Sequence, residues 1–124
     1  MTTKVLHIDS DIEDSYIFMH VITTFQCCTY EHEWNPLEAL DGIEKGMLVP
    51  DVVFVDYDLQ LLTGIEFVER LKKLNLLPSV KIYLMFDERN PEAMVQAKNI
   101  GATDCFRKPT NISEWATLIM EAVY

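Results

Sequence analysis

Residues 52–56 read Val-Val-Phe-Val-Asp, an unbroken apolar run that ends in a carboxylate. Pro50 and Asp51 precede the run and mark a turn before it. A strand that is apolar at every position is typical of a parallel sheet whose two faces are both covered by helices. This stretch therefore predicts the central strand of an α/β fold and places Asp56 at the carboxyl end of that strand.

Strand-like and helix-like segments alternate on both sides of this run. Strands are predicted at residues 5–8, 29–34, 52–55, 80–86 and 102–107, and helices at residues 11–23, 36–45, 65–76, 91–100 and 112–123. Two of the helices begin with an asparagine cap followed by a proline, at Asn35-Pro36 and Asn90-Pro91. Five β-α units in 124 residues need short, right-handed crossovers. We therefore predict one domain over residues 1–124, a doubly wound five-stranded parallel sheet in the flavodoxin-like order 2-1-3-4-5 with helices on both faces.

The first predicted helix has apolar residues at helical spacing. Ile12, Tyr16, Met19 and either Ile22 or Thr23 recur along one stripe. Such a stripe normally faces the core of the protein, while charged residues face water. We therefore expect these side chains to pack against the sheet.

Charge and cysteine content narrow the class of protein. Twenty acidic residues against ten basic ones give a net charge of −10, which disfavours direct binding to nucleic acid and to anionic membranes. Cys27 and Cys28 are adjacent, and the three cysteines form neither a disulfide framework nor a metal-knuckle spacing. No apolar stretch is long enough for a signal peptide or a membrane span. These features predict a soluble protein of the reducing cytoplasm.

Three predicted strands end in residues that could share one site. Asp9 follows the first strand, Asp56 ends the third and Lys108 follows the fifth, so all three belong to the carboxyl edge of the sheet, where α/β folds place their ligand sites. A carboxylate accepts a phosphoryl group when cations neutralise the donor and the transferring oxygens. Magnesium needs only one or two carboxylates and a backbone carbonyl, and Asp9 and Asp56 could supply the carboxylates. The extended geometry imposed before Pro109 would aim the Lys108 ammonium toward Asp56.

The motifs at these strand ends resemble the receiver domain of two-component response regulators. The resemblance is carried by Val-Leu-His-Ile-Asp at residues 5–9, by the run ending at Asp56 with Gly64 eight residues later, and by Gly-Ala-Thr-Asp-Cys-Phe-Arg-Lys-Pro at residues 101–109. These motifs occur in the family's order and with family-like spacing along the whole chain. The three together are far more specific than any one of them.

This resemblance implies a role for each motif residue. Asp56 would be the phosphoacceptor, Asp9 would belong to the acidic pocket that binds Mg²⁺, the backbone carbonyl of Asp58 would be a metal ligand, and Lys108 would contact the phosphoryl group. The donor would be a histidine kinase or a phosphotransfer protein, and a downstream effector would read the result. The resemblance implies a signalling module rather than an enzyme, and it leaves pairing as a homodimer open.

Two parts of the family pattern are altered in this chain. The second acidic residue of the metal pocket is replaced by Ser10, for which Asp11 or the side chain of Asp58 could compensate. The switch serine or threonine aligns with Phe86, which cannot donate a hydrogen bond to a phosphoryl oxygen, so the sequence predicts a small conformational response. The aromatic partner of the switch aligns with Cys105, although Phe106 follows immediately.

Two other functions stay open at this point. A pseudo-receiver would use the same fold as a protein-binding module, uncoupled from phosphorylation by Ser10 and Phe86. A small phosphohydrolase would use Asp56 and Asp58 as an Asp-x-Asp pair, although the chain has no room for a cap domain. His7, inside the first strand, reads as a packed or hydrogen-bonded histidine rather than a metal ligand, because no second His or Cys is spaced to join it.

Overall fold

The computed structural model describes residues 2–124, in which five strands alternate with five helices. The strands are β1 (Thr3–Ile8), β2 (Cys28–Glu33), β3 (Val52–Asp56), β4 (Lys81–Phe86) and β5 (Asp104–Arg107). The helices are α1 (Ile12–Ile22), α2 (Pro36–Glu44), α3 (Gly64–Leu74), α4 (Pro91–Asn99) and α5 (Ile112–Val123). All strand pairs are parallel, in the order β2-β1-β3-β4-β5, which confirms the predicted sheet.

The apolar run at β3 is the centre of the sheet, as predicted. All five of its residues are buried, and it pairs with β1 on one side and β4 on the other. Its side chains alternate between two cores, because successive residues of a strand point to opposite faces. Val53 and Val55 pack with α2, α3 and α4, while Val52 and Phe54 pack with α1 and α5.

Helices α2 and α4 begin at the two predicted caps, and α3 adds a capping motif that was not among them. The side chain of Asn35 accepts a hydrogen bond from the backbone N–H of Leu37, and the side chain of Asn90 accepts one from Ala93. The addition is a reciprocal capping box at α3 between Thr63 and Glu66. The described helices have at most 12 residues, and none in residues 2–124 is long and apolar enough to cross a membrane.

The predicted core-facing stripe of α1 is wrong. The side chains of Ile12, Tyr16 and Met19 are 47%, 61% and 42% exposed. Instead, Ser15, Phe18 and Val21 face the core, together with Ile22, which is the one buried position of the predicted stripe. The helix carries two candidate apolar stripes, and local periodicity does not report which of them packs against the sheet.

Gly64 brings α3 close to the end of β3. A Cβ at this position would lie 2.6 Å from the backbone oxygen of Asp56 and 2.6 Å from Cδ1 of Leu84. The backbone N–H of Gly64 donates to the carbonyl of Tyr57 at 2.9 Å. The absence of a side chain therefore lets the loop after Asp56 fold tightly against α3.

Candidate functional site

The carboxyl edge of the sheet brings Asp9, Asp56 and Lys108 together. Asp9 is fully buried and Asp56 is 2% exposed, so both carboxylates lie below the surface. The Nζ of Lys108 lies 3.0 Å from Oδ2 of Asp56 and 3.2 Å from Oδ2 of Asp9. The backbone N–H of Lys108 donates to the carbonyl of Phe86, which anchors the lysine beside β4. The three strand-end residues thus form one buried pocket.

Two further carboxylates reach the same ammonium. Oδ2 of Asp14 lies 2.7 Å from Nζ of Lys108, the shortest of its ion-pair contacts, and Oδ1 of Asp87 lies at 3.5 Å. The sequence analysis missed both residues. The sequence could have indicated Asp87 as a pocket residue, because it directly follows β4 at the same edge of the sheet. It could not have indicated Asp14, since the direction of that side chain depends on how α1 is rotated.

The surplus of negative charge sets the proton affinities of the pocket. Burial raises the pKa of Asp56 to about 7, and the charge of Asp9 adds to this rise while Lys108 opposes it. Burial also disfavours the anion of Asp9, but His7 and Lys108 outweigh it and lower the pKa of Asp9 to about 2. Burial opposes the charge of Lys108, yet the carboxylates around it raise its pKa. One ammonium therefore faces four carboxylates.

The same pocket offers a ligand set suited to a hard divalent cation. Carboxylate oxygens of Asp56, Asp58 and Asp87 lie within 4.8 Å of one another. The backbone N–H of Asp58 donates to Oδ1 of Asp56 at 3.3 Å, which holds the loop after β3 against the acceptor. Oxygen donors and excess negative charge are what Mg²⁺ requires, so these residues fit that ion.

The positions considered as replacements for the missing acid differ in their surroundings. Ser10 lies in the β1-α1 loop and is partly exposed. The carboxylate of Asp11 caps α1, accepting hydrogen bonds from the backbone N–H groups of Glu13 and Asp14. Asp11 and Asp58 are the two residues that could compensate for Ser10. Of these, Asp58 is therefore the one whose carboxylate lies close to that of Asp56.

Phe86 closes the β4 side of the pocket. It is 1% exposed, and its ring stacks on that of Tyr57 with centroids 4.9 Å apart. Both rings line an open cleft of about 740 Å³ between the β3-α3 and β4-α4 loops, together with Asp58, Asp87 and residues 88–92. A packed aromatic pair thus occupies the space beside the acceptor.

Cys105 and Phe106 point to opposite faces of β5. The Sγ of Cys105 lies 3.7 Å from the backbone oxygen of Met94 in α4, and Cys105 packs against the core on that side. Phe106 packs in the other core, near Phe54 and Tyr83. On the face of β5 where the family has the aromatic partner of its switch residue, this chain therefore has the thiol of Cys105. The ring of Phe106 lies on the opposite face.

Known proteins share this architecture. A sequence model described as the response regulator receiver domain matches residues 7–120. The protein-glutamate methylesterase/protein-glutamine glutaminase of Methylobacillus flagellatus is 37% identical over 114 residues, which cover 88% of this chain and 30% of that protein. The corresponding protein of Rhizobium etli is 37% identical over 75 residues, 60% of this chain and 21% of the relative. The structure of chemotaxis protein CheY4 of Vibrio cholerae, 26% identical, matches with a TM-score of 0.85 over 100% of both chains. The chain thus spans less than a third of the length of the two methylesterase relatives.

Proposed function

The chain belongs to the response regulator receiver domain family, and from this membership we propose that it accepts a phosphoryl group on Asp56 from a histidine kinase or a phosphotransfer protein. One observation carries the proposal. Asp56 lies at the carboxyl end of the central strand, nearly buried, with the Lys108 ammonium 3.0 Å from its carboxylate. We further propose that residues 1–124 form one receiver domain acting in the cytoplasm as a signalling module without an enzymatic activity of its own.

The chemistry follows from the charges in the pocket. A carboxylate oxygen of Asp56 forms a bond to phosphorus while the bond from phosphorus to the donor nitrogen breaks, and the departing imidazole takes a proton. Lys108 neutralises part of the charge on the transferred oxygens, since its ammonium already contacts the acceptor. Asp56 must first be ionised, and positive charge entering the pocket favours its anion.

Mg²⁺ fits this pocket. We propose that Asp9, Asp56 and the backbone carbonyl of Asp58 hold the ion, with the side chains of Asp58 and Asp87 supplying the charge that Ser10 lacks. When bound, the ion neutralises the oxygens of the phosphoryl donor. Asp87, which directly follows β4, then contributes its carboxylate to the metal pocket.

Acetyl phosphate tests the proposed function directly. We expect the intact protein to gain the mass of one phosphoryl group when incubated with acetyl phosphate and Mg²⁺, and to gain none without Mg²⁺. The Asp56→Asn variant should gain none, while Asp41→Asn, at an exposed ion pair on α2, should behave like the unaltered protein. Absence of uptake by a folded protein would overturn the proposal and favour the pseudo-receiver, and release of inorganic phosphate from a phosphate ester over many turnovers would favour a phosphohydrolase.

The buried position of Phe86 supports a muted response to phosphorylation. Its ring cannot donate to a phosphoryl oxygen, and it is already buried and stacked on Tyr57. We expect backbone amide NMR signals of the pocket loops to shift on phosphorylation, while those of α4 (Pro91–Asn99) keep their positions. Large shifts throughout α4 would contradict this prediction. A downstream effector would then read the charge at the pocket itself rather than a rearranged helix.

A further inference from the structure

His7 is a fully buried polar residue in the apolar part of β1. It lies in β1 between Leu6 and Ile8, and its side chain has no exposed surface. A buried imidazole loses its hydration, so such a residue persists where its nitrogens have partners. The partners of His7 lead directly to the phosphoacceptor pocket.

Three contacts fix the His7 ring. It stacks on Phe18 with centroids 4.1 Å apart. Its Nδ1 lies 3.0 Å from the hydroxyl of Tyr30, and its Nε2 lies 3.3 Å from Oδ2 of Asp9. Neither of these two atoms has a regular hydrogen-bond partner among the described residues, so the contact between them is electrostatic. The Lys108 ammonium lies 3.2 Å from the same Oδ2 of Asp9.

The partners of the two ring nitrogens select one tautomer. Nδ1 faces a hydroxyl, which can donate or accept, and Nε2 faces a carboxylate. Burial raises the pKa of Tyr30, which therefore keeps a hydroxyl proton to donate. Ionised Asp9 can only accept a hydrogen bond. The consistent arrangement has Tyr30 donating to Nδ1 and the ring proton on Nε2, because the other tautomer would set a nitrogen lone pair against the carboxylate.

In a pocket with two adjacent acids, the residue at the position of Asp9 has a second carboxylate beside it. Asp9 has none, so its orientation depends more on a neighbouring group such as His7. Ser10 removes the neighbouring carboxylate, and Asp11 is committed to capping α1. The Oδ1 of Asp9 accepts the backbone N–H of Asp11 at 2.9 Å, which leaves Oδ2 to face His7 and Lys108. The direction of this one carboxylate therefore rests on the group behind it.

We propose that His7 is a positioning residue for Asp9: its Nε2–H faces Oδ2 at 3.3 Å and keeps the carboxylate directed at Lys108 and Asp56. Tyr30 holds the tautomer that makes this possible. The inference rests on the proposed function, in which Asp9 is part of the metal pocket. A partner hydrogen-bonded behind a metal-binding group commonly changes affinity or rate by about 10- to 100-fold when removed.

The tautomer is measured without any phosphorylation. Long-range ¹H–¹⁵N NMR on the full chain labelled in its three histidines should show His7 protonated at Nε2 and unprotonated at Nδ1. Asp9→Asn should shift the His7 Nε2 signal, and the signals of exposed His20 should not respond. A protonated Nδ1, or a His7 signal that ignores Asp9, would overturn the proposal even if Asp56 is phosphorylated normally.

The functional arm uses variants that keep the ring packing. His7→Phe retains an aromatic ring against Phe18 but removes the donor, and we expect its phosphoryl uptake from acetyl phosphate to be about 10-fold slower or more. His7→Gln places an N–H donor in the same direction and should recover part of the rate. His7→Phe at full rate would overturn the positioning role. If the unaltered protein takes up no phosphoryl group, the proposed function fails, while the NMR measurement still decides the role of His7.

Discussion

Lys108→Ala is expected to slow phosphoryl uptake on Asp56 by about 100-fold or more, because removing one preorganised charged donor from a transferring group costs that much. Lys108 is the cation that contacts Asp9, Asp14, Asp56 and Asp87. The phosphorylated Asp56 side chain would carry about −1.5 to −2 charges. Without the ammonium, that charge would develop among carboxylates with only the metal to offset it.

Lys98→Ala is the matched control for this prediction. Lys98 pairs with Asp104 at 3.4 Å on the surface, and its side chain is 61% exposed. Such pairs contribute little to stability and have no contact with the pocket described above. We expect the control to keep the original rate, measured by intact mass over time with acetyl phosphate and Mg²⁺. Equal losses in the two variants, with both folded, would contradict the assigned role of Lys108.

Asp56→Asn is expected to raise the free energy of unfolding at pH 8 by about 4 kcal/mol, since each unit by which the folded pKa exceeds the ordinary value corresponds to about 1.4 kcal/mol. The pKa of Asp56 is about 7 in the folded protein, raised first by burial and then by the charge of Asp9, against an ordinary value of 3.8. The folded state therefore holds this proton more tightly than the unfolded chain does. The resulting stabilisation is complete below pH of about 4 and is lost as the pH rises to about 7 and above.

The test compares unfolding at two pH values. Asparagine stays neutral and retains the size of the side chain, so the variant should gain little stability over the unaltered protein near pH 4 and several times more at pH 8. Urea unfolding monitored by far-UV circular dichroism measures the free energy of unfolding of the two proteins at each pH. Asp41→Asn, which alters an exposed carboxylate on α2, should show no such pH-dependent gain. A less stable Asp56→Asn variant at pH 8 would mean that the contact with Lys108 outweighs the burial of the charge.

These two predictions describe one property of the pocket. The excess of carboxylates around Lys108 is unfavourable in the metal-free protein, since buried like charges repel one another. The same excess attracts a divalent cation and prepares the pocket for a phosphoryl donor. The stability gained by neutralising Asp56 and the activity lost with Lys108 are therefore expected to arise from the same charges.

The sequence by itself determined the architecture and the edge that holds the site. The apolar run at 52–55 has no polar face, so only a central strand covered on both sides accommodates it. The Asn-Pro pairs at 35–36 and 90–91 fix two helix starts through local hydrogen bonding and backbone geometry. Because strands alternate with helices along the chain, the strands run parallel to one another. Parallel strands bring Asp9, Asp56 and Lys108 to one edge of the sheet. All of these signals are local or follow from chain direction.

Only the tertiary structure decided which side chains complete the pocket. Local periodicity offered an apolar stripe on α1 that turned out to be exposed, because the rotation of the helix depends on contacts far away in sequence. The ion pair of Asp14 with Lys108 joins residues 94 positions apart, and the hydrogen bond of His7 with Tyr30 spans 23. Charge, burial and hydrogen bonding between such residues exist only once the sheet has assembled. The acidic surroundings of Lys108 and the histidine behind Asp9 therefore come from packing, whereas Asp56, the proposed acceptor, could be selected from the chain.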